Sequence, residues 1–469
     1  MAILALPWLI VLVAFIWSLR PLGDPDVWWH LRTGEQILTS GWPTSDPWSF
    51  ASTEDTPWVL HEWLVEVAFA LGHRIAGYDA VIVIRALLFS GLIAVVVWQA
   101  RRRSGPLVAA VVASVVTLGV LSSSAERPQL VSFLLLAWIG PLMLTRTLVG
   151  KPMPWWTLII WPLWANSHGL WASALLLYAV LVTAFVLASG GGERRKALPM
   201  IGYGVLATAL VALNPAGPRL LLAPLDVREY AQFVSEWDPP SLVALPGAAL
   251  ALLLAIITVS WARSKVRVDP VTIAYVAVAA LMGVSYLRTV AIGCLLLAPL
   301  AAESLAQLLQ GRLSLEQRAR SVEPSRRTRW LGAGAMGAAA LGAAAIVLPA
   351  VPALPENTPW GATRYLQGLD QGARVLNEYD LGGWVLWTVP NASPAIDGRT
   401  EIYSPDYVRT SMDAGNLRGD WQQYLDSLHV DAAWLRQDTP LVTGLEEIEG
   451  WQRVYEDDWS VILVPQHSR

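Results

Sequence analysis

The residues in this chain that could do chemistry gather where apolar runs end. The first cluster is Gly23-Asp24-Pro25-Asp26-Val27-Trp28-Trp29-His30, directly after an apolar stretch. Two carboxylates one residue apart could hold a divalent cation such as Mg or Mn, or act as a general base. The same spacing also suits a turn and the N-cap of a helix beginning at Val27. A second cluster, Glu126-Arg127-Pro128-Gln129, carries an arginine that could grip a phosphate, pair with Glu126 or meet lipid headgroups. In a third, Trp164-Ala165-Asn166-Ser167-His168-Gly169, a polar tip lies among tryptophans. His168 there could donate a proton, bind phosphate, or only satisfy backbone groups at a bend. A fourth is Ser285-Tyr286-Leu287-Arg288, and Arg219 and Arg228 share a loop with Glu229, Glu236 and Asp238.

Composition says what must position these residues. The 469-residue chain is 54% hydrophobic and 15% charged, with a mean hydropathy of +0.45. Soluble domains carry roughly 25% charge, so the chain belongs in lipid. A net charge of −4 with no basic face excludes a nucleic-acid partner, and Cys294 as the sole cysteine excludes a disulfide scaffold. A transmembrane helix needs about 20 mostly apolar residues. Eleven such spans are expected, near 3–19, 78–100, 106–123, 129–145, 154–166, 170–189, 198–213, 243–262, 270–286, 289–309 and 331–354. The first lacks the basic start and small-residue cleavage site of a signal peptide.

Charge then orients the chain. Loops with Arg101–Arg103, Arg146 and Lys151, Arg194–Lys196, Arg263 to Arg267, and six arginines between Arg312 and Arg329 hold 17 basic residues, including every lysine. These loops are expected in the cytoplasm, with the N-terminus, by the positive-inside rule. Residues 355–469, with 18 acidic and 8 basic residues, are then a soluble domain outside. Residues 1–354 form the membrane domain, with a long first outer loop over 20–77. Within that loop Trp58, Leu60, Trp63, Leu64, Val67 and Leu71 mark an apolar stripe at helical spacing, with Glu62 and Glu66 off it. An interfacial helix is expected there. Trp28, Trp29, Trp155, Trp156, Trp171 and Trp237 would form an interfacial belt. Gly332, Gly334, Gly337 and Gly342 would let the last span pack tightly against its neighbours.

The outer domain should be a small α/β unit. Short β-like runs occur at Arg374–Leu376, Trp384–Val389, Ala432–Leu435 and Ser460–Val464, with a helical pattern at Trp421–Leu428. The sequence has no P-loop, dinucleotide fingerprint, His-Glu-x-x-His or Gly-x-Ser-x-Gly motif. A nucleotide-driven transporter is therefore not expected. Isolated charges in mid-span, the usual mark of an ion-coupled carrier, are nearly absent, with Arg85 the main exception.

The chain resembles the GT-C superfamily of polytopic glycosyltransferases, and most closely an uncharacterised bacterial membrane-protein family assigned to it. The phrases carrying the resemblance are Asp24-Pro-Asp-Val-Trp-Trp-His-Leu, Trp42-Pro-Thr-Ser-Asp-Pro-Trp-Ser, His61-Glu-Trp-Leu, Arg127-Pro-Gln and Trp164-Ala-Asn-Ser-His-Gly. They continue as Leu213-Asn-Pro-Ala-Gly-Pro, Asn377-Glu-Tyr-Asp-Leu-Gly-Gly-Trp and Asp397-Gly-Arg-Thr-Glu-Ile-Tyr. The resemblance implies a mainly α, GT-C-like membrane protein with an extracytoplasmic α/β domain, in the cytoplasmic membrane of a bacterium. It implies sugar transfer from a polyprenyl-phosphate donor to a glycan, lipid or protein acceptor at the outer face. Asp24 or Asp26 would be the catalytic base, with a divalent metal as an option at the same pair. Arg127, Arg288, Arg219 and His168 would receive the donor phosphate. His30, Glu62, Asn166, Asp397, Arg399 and Glu401 would hold the acceptor or support the site. Asp397 and Arg399 could equally be a buried ion pair at a strand end. A carrier or flippase for an isoprenoid-linked substrate, and a non-catalytic scaffold in envelope assembly, are the competing readings.

Overall fold

Inside a bilayer each backbone N–H and C=O must bond within its own segment, so apolar runs become helices. The computed structural model, which describes residues 2–52, 58–223, 230, 235–265, 267–310 and 326–466, places helix in all eleven apolar runs. Seven of its helices are long and apolar enough to cross a membrane, and Leu4–Trp17 and Pro270–Ser285 are shorter apolar ones. The run at 154–166 is a 3-10 turn, Trp155–Ile159, followed by the six-residue helix Ile160–Ala165. Arg228, Glu229 and the arginines from Arg312 to Arg320 lie outside the described residues.

The chain packs as two compact units. The first comprises residues 1–21, 81–224 and 234–353. At its centre is helix Val290–Leu308, 13 of whose residues are buried, against Pro106–Val120, Leu245–Arg263 and Pro270–Ser285. Small residues permit these close approaches. A Cβ added at Gly119 would stand 2.6 Å from Cys294 Sγ, and one at Gly283 would stand 3.2 Å from Gly293 Cα. The glycine-rich last helix, Arg326–Ala350, corrects the expectation of tight packing. None of its most apolar window is buried, and Gly332, Gly334, Gly337 and Gly342 meet nothing within 4 Å. Small residues lower the cost of helix contact, but lipid covers an apolar helix equally well.

The second unit joins residues 22–80 and 225–233 to 354–469. The first outer-loop segment thus packs with the C-terminal residues. The 41-residue helix Trp63–Arg103 is broken at Ala76–Gly77, where Gly77 has φ 62°. Unbroken, it would exceed 60 Å, about twice a bilayer core. The break divides an arm over 63–75, the expected interfacial helix, from the span beyond.

The second unit contains one five-stranded sheet, with strands β1 (Ala373–Asn377), β2 (Ala392–Pro394), β3 (Ala432–Arg436), β4 (Gln452–Glu456) and β5 (Ser460–Val464). Their order is β2-β1-β3-β5-β4. β1 pairs in parallel with β2 and β3, whereas β5 runs antiparallel to β3 and β4. Helix Trp421–Leu428 falls where its pattern placed it. Trp384–Val389 does not: it lies almost wholly in helix Tyr379–Thr388. Leu381, Trp384 and Val385 share a helical face there, and burial overrides the β-preference of Trp and Val.

Candidate active site

In the second unit, the helix Val27–Ser40 opens immediately after Asp26. Asp24 accepts the backbone N–H of Asp26 at 3.0 Å, which makes it the turn-former. Asp26 stands at the N-cap position, but its side chain makes no cap bond to the helix. Its Oδ1 instead accepts the Trp29 indole N–H at 3.1 Å. Both carboxylates are half-buried. Two glycine segments from the C-terminal residues lie over this turn. A Cβ at Gly383 would come 2.8 Å from the Pro25 carbonyl, and one at Gly398 would collide with Asp26 Oδ1 and stand 2.7 Å from Trp29 Nε1. The backbone at these positions therefore reaches the acidic turn as no larger residue would allow. Trp28 packs edge-on to Trp384 at 4.6 Å and to Tyr78 at 5.8 Å. Trp28 and Trp29 are 8% exposed, so they build this contact rather than an interfacial belt.

One turn into the same helix, His30 points toward the arm over 63–75. Gly34, a turn further on, has no room for a side chain against the Glu66 backbone, so the two helices nearly touch. His30 Nδ1 lies 3.1 Å from Glu66 Oε1, and His30 Nε2 lies 3.8 Å from Glu62 Oε2. Glu62, just before the helix Trp63–Arg103, and Glu66, in its first turn, both turn their carboxylates to His30. His61 Nδ1 donates to the Val59 carbonyl at 3.2 Å, and its Nε2 is 3.5 Å from Glu62 Oε1. Glu66 is fully buried, and its Oε2 has no hydrogen-bond partner. Burial drives the Glu66 carboxyl well above the usual carboxylate range, Glu62 and Glu401 push it further, and Arg399 opposes them. One donor atom each from His30, Glu62 and Glu66 fit within 4.8 Å of one another, a spacing that could hold a metal ion.

Beside this cluster Arg399 is enclosed. It donates to Asp397 through Nε at 2.8 Å and Nη2 at 2.7 Å, and to Asp46 through Nη1 at 2.7 Å. Its guanidinium lies 4.8 Å from the ring centres of both Trp48 and Trp58. Burial would lower its pKa, but Asp397 and Asp46 outweigh that and raise it, so the cation persists. Tyr403 donates its hydroxyl to Asp397 at 2.8 Å. Asp397 and Arg399 thus form the closed ion pair that was one of their two expected roles. Glu401 accepts the Trp58 indole at 3.4 Å.

The remaining site residues belong to the first unit. Arg127 pairs with Glu236 at 3.1 Å, and Arg288 lies over Trp237 at 4.9 Å. Both arginines therefore converge on the short turn Ser235–Trp237, held in place where Leu287 N–H donates to the Asp238 carbonyl at 2.9 Å. His168 Nδ1 is 3.0 Å from Ser132 Oγ, in the first turn of the helix that follows Arg127-Pro128. Asn166 donates to the carbonyls of Pro162 and Leu213 and accepts from Asn214, so it pins two segments together. Arg219 is exposed on the 3-10 turn Gly217–Leu221.

Sequence reasoning missed Glu66 and Asp46 as members of the site. The available signal was the His61-Glu62 pair with a second glutamate one turn later, set beside a histidine after the acidic turn.

No family model matches the chain, and no curated protein matches it. Solved structures of the Archaeoglobus fulgidus oligosaccharyltransferase share its fold. The form tethered to an acceptor peptide containing the NVT sequon superposes with a TM-score of 0.56 at 14% identity, covering 92% of this chain and 69% of that one. The apo form gives 0.54 at 13% identity over 91% and 69%, and the complex with Zn and sulfate gives 0.54 at 14% over 93% and 68%. Over nine-tenths of its length the chain therefore has the fold of that oligosaccharyltransferase.

Proposed function

We propose that this chain is a membrane glycosyltransferase that moves a sugar from a polyprenyl-phosphate donor to an acceptor at the outer face of a bacterial cytoplasmic membrane. The observation that carries the reading is the GT-C fold over nine-tenths of the chain, together with the carboxylates that follow the first apolar helix. Eleven crossings, with the N-terminus inside and the 355–469 domain outside, complete the topology.

In this reaction an acceptor hydroxyl attacks the anomeric carbon, the bond to the lipid phosphate breaks, and the configuration inverts. Asp24 or Asp26 takes the acceptor's proton as the new bond forms. Negative charge grows on the departing phosphate. Arg127, Arg288, Arg219 and His168 would receive that charge, a reading supported by the meeting of Arg127 and Arg288 at one turn. The donor is already activated, so no nucleotide is needed. A divalent cation would add charge neutralisation at the phosphate.

The test is transfer from a panel of undecaprenyl-phosphate-linked hexoses and pentoses by the full chain in lipid nanodiscs, using an extracted envelope fraction as acceptor. Asp24→Asn or Asp26→Asn should cut turnover by roughly 10²–10⁴-fold, the worth of a general base, with the protein still folded. Full turnover in both variants, or no transfer from any donor, sinks the reading.

A further inference from the structure

Five carboxylates of the second unit, from Asp46, Glu62, Glu66, Asp397 and Glu401, lie in one connected cluster. Arg399 is the cation felt at Glu66, and it is already engaged by Asp397 and Asp46. Glu62 and Glu66 both face His30. Buried polar atoms are almost always hydrogen-bonded, and one that is not calls for a specific cause, of which an ion is one. Glu66 Oε2 is such an atom, and its carboxylate lies among the other donors.

We infer that His30, Glu62 and Glu66 bind a divalent transition-metal ion, of the Zn2+ or Mn2+ class. The donor set chooses the class. One imidazole nitrogen with carboxylate oxygens suits zinc and manganese, whereas Mg2+ and Ca2+ prefer all-oxygen shells. Two carboxylates balance the ion's two charges, so a dication neutralises the pair where a monovalent group would not. The scaffold is rigid: both glutamates lie one turn apart at the start of the arm, and Gly34 brings the His30 helix against it. His61 Nδ1 donates to the Val59 carbonyl and its Nε2 lies beside Glu62 Oε1, so His61 sits at the edge of the cluster. The ion is assigned to His30–Glu62–Glu66 and not to Asp24 and Asp26, which accept from a turn N–H and from the Trp29 indole. Binding here does not depend on the glycosyltransferase reading, so either can fail alone.

The experiment uses the purified full chain in detergent, stripped with a chelator, then equilibrated with Zn2+ or Mn2+ alone and assayed for bound metal. A Co2+-loaded sample is read by its visible absorption for a nitrogen ligand. About one ion per chain is expected. Glu66→Gln, which preserves shape, and His30→Gln should each weaken binding at least tenfold, a loss that even outer-shell partners can cause. The double variant Asp24→Asn/Asp26→Asn should bind as the parent does. A monodisperse elution profile shows that each variant is folded. Failure of the parent to retain metal overturns the site, as does parent-like affinity in both Glu66→Gln and His30→Gln. Loss of the ion in the Asp24/Asp26 variant would move it to the acidic turn and overturn this assignment.

Discussion

Arg85 and Arg399 are both fully buried, one in each unit, and their surroundings have opposite electrical character. Arg85 pairs with Glu126 and donates to main-chain carbonyls at the end of the first helix, Ser18 at 2.8 Å and Pro21 at 3.3 Å, and also to that of Arg20. Arg20 lies close enough to feel both charges and itself donates to Ser124. That neighbourhood has two cations to one carboxylate. Around Arg399 the ratio reverses, since Asp46 and Asp397 already saturate it while Glu62, Glu66 and Glu401 remain nearby. In the helix bundle backbone carbonyls take most of the guanidinium's hydrogen bonds without adding charge, and Glu126 supplies the counter-charge. An excess of buried carboxylate has no such recourse, and it marks the region where something positive should enter.

The contrast predicts unequal responses to removing one charge, read by thermal melting of the full chain followed through tryptophan fluorescence. The largest losses should come from Glu126→Gln and Arg399→Met, each about 3–5 kcal/mol, because each strands buried charge of the opposite sign. Equal tolerance of both would dissolve the comparison. A middle effect, about 1–3 kcal/mol, is expected for Gly398→Ala, whose methyl group must displace Asp26 or Trp29. If that variant melts like the parent, the C-terminal backbone does not press on the acidic turn as described. The smallest effect belongs to Glu66→Gln in chelator, within about 1 kcal/mol of the parent. It removes one member of an excess and leaves no cation unpaired. A drop as steep as that of Glu126→Gln would show Glu66 to be an indispensable counter-ion.

Much of the helical architecture could be read directly from hydropathy, because lipid permits few alternatives to a helix. The break at Gly77 was also implicit, since the apolar stripe ended before the next span began. Trp384–Val389 misled because Trp and Val favour strands in isolation, whereas here Trp384 turns to meet Trp28. The acidic turn and the basic clusters were visible from local spacing. Their partners were not, because Asp46 reaches Arg399 across 353 positions and Glu66 reaches His30 across 36. No periodicity encodes which distant backbone will be glycine-thin enough to lie against Asp26. The burial of Glu66 was hidden for a related reason: the face opposite the apolar stripe is covered by a second helix rather than by water.

Cys294 is the chain's sole thiol, buried at the seam where Gly119 gives it room. A thiolate must be exposed to react, so a maleimide dye cannot label the native bundle until that seam opens. The protein thus carries a built-in clock for one unit only, silent to events at the sheet. Labelling rate against time would separate loosening of the helices from loosening of the sheet-bearing unit, without any introduced cysteine.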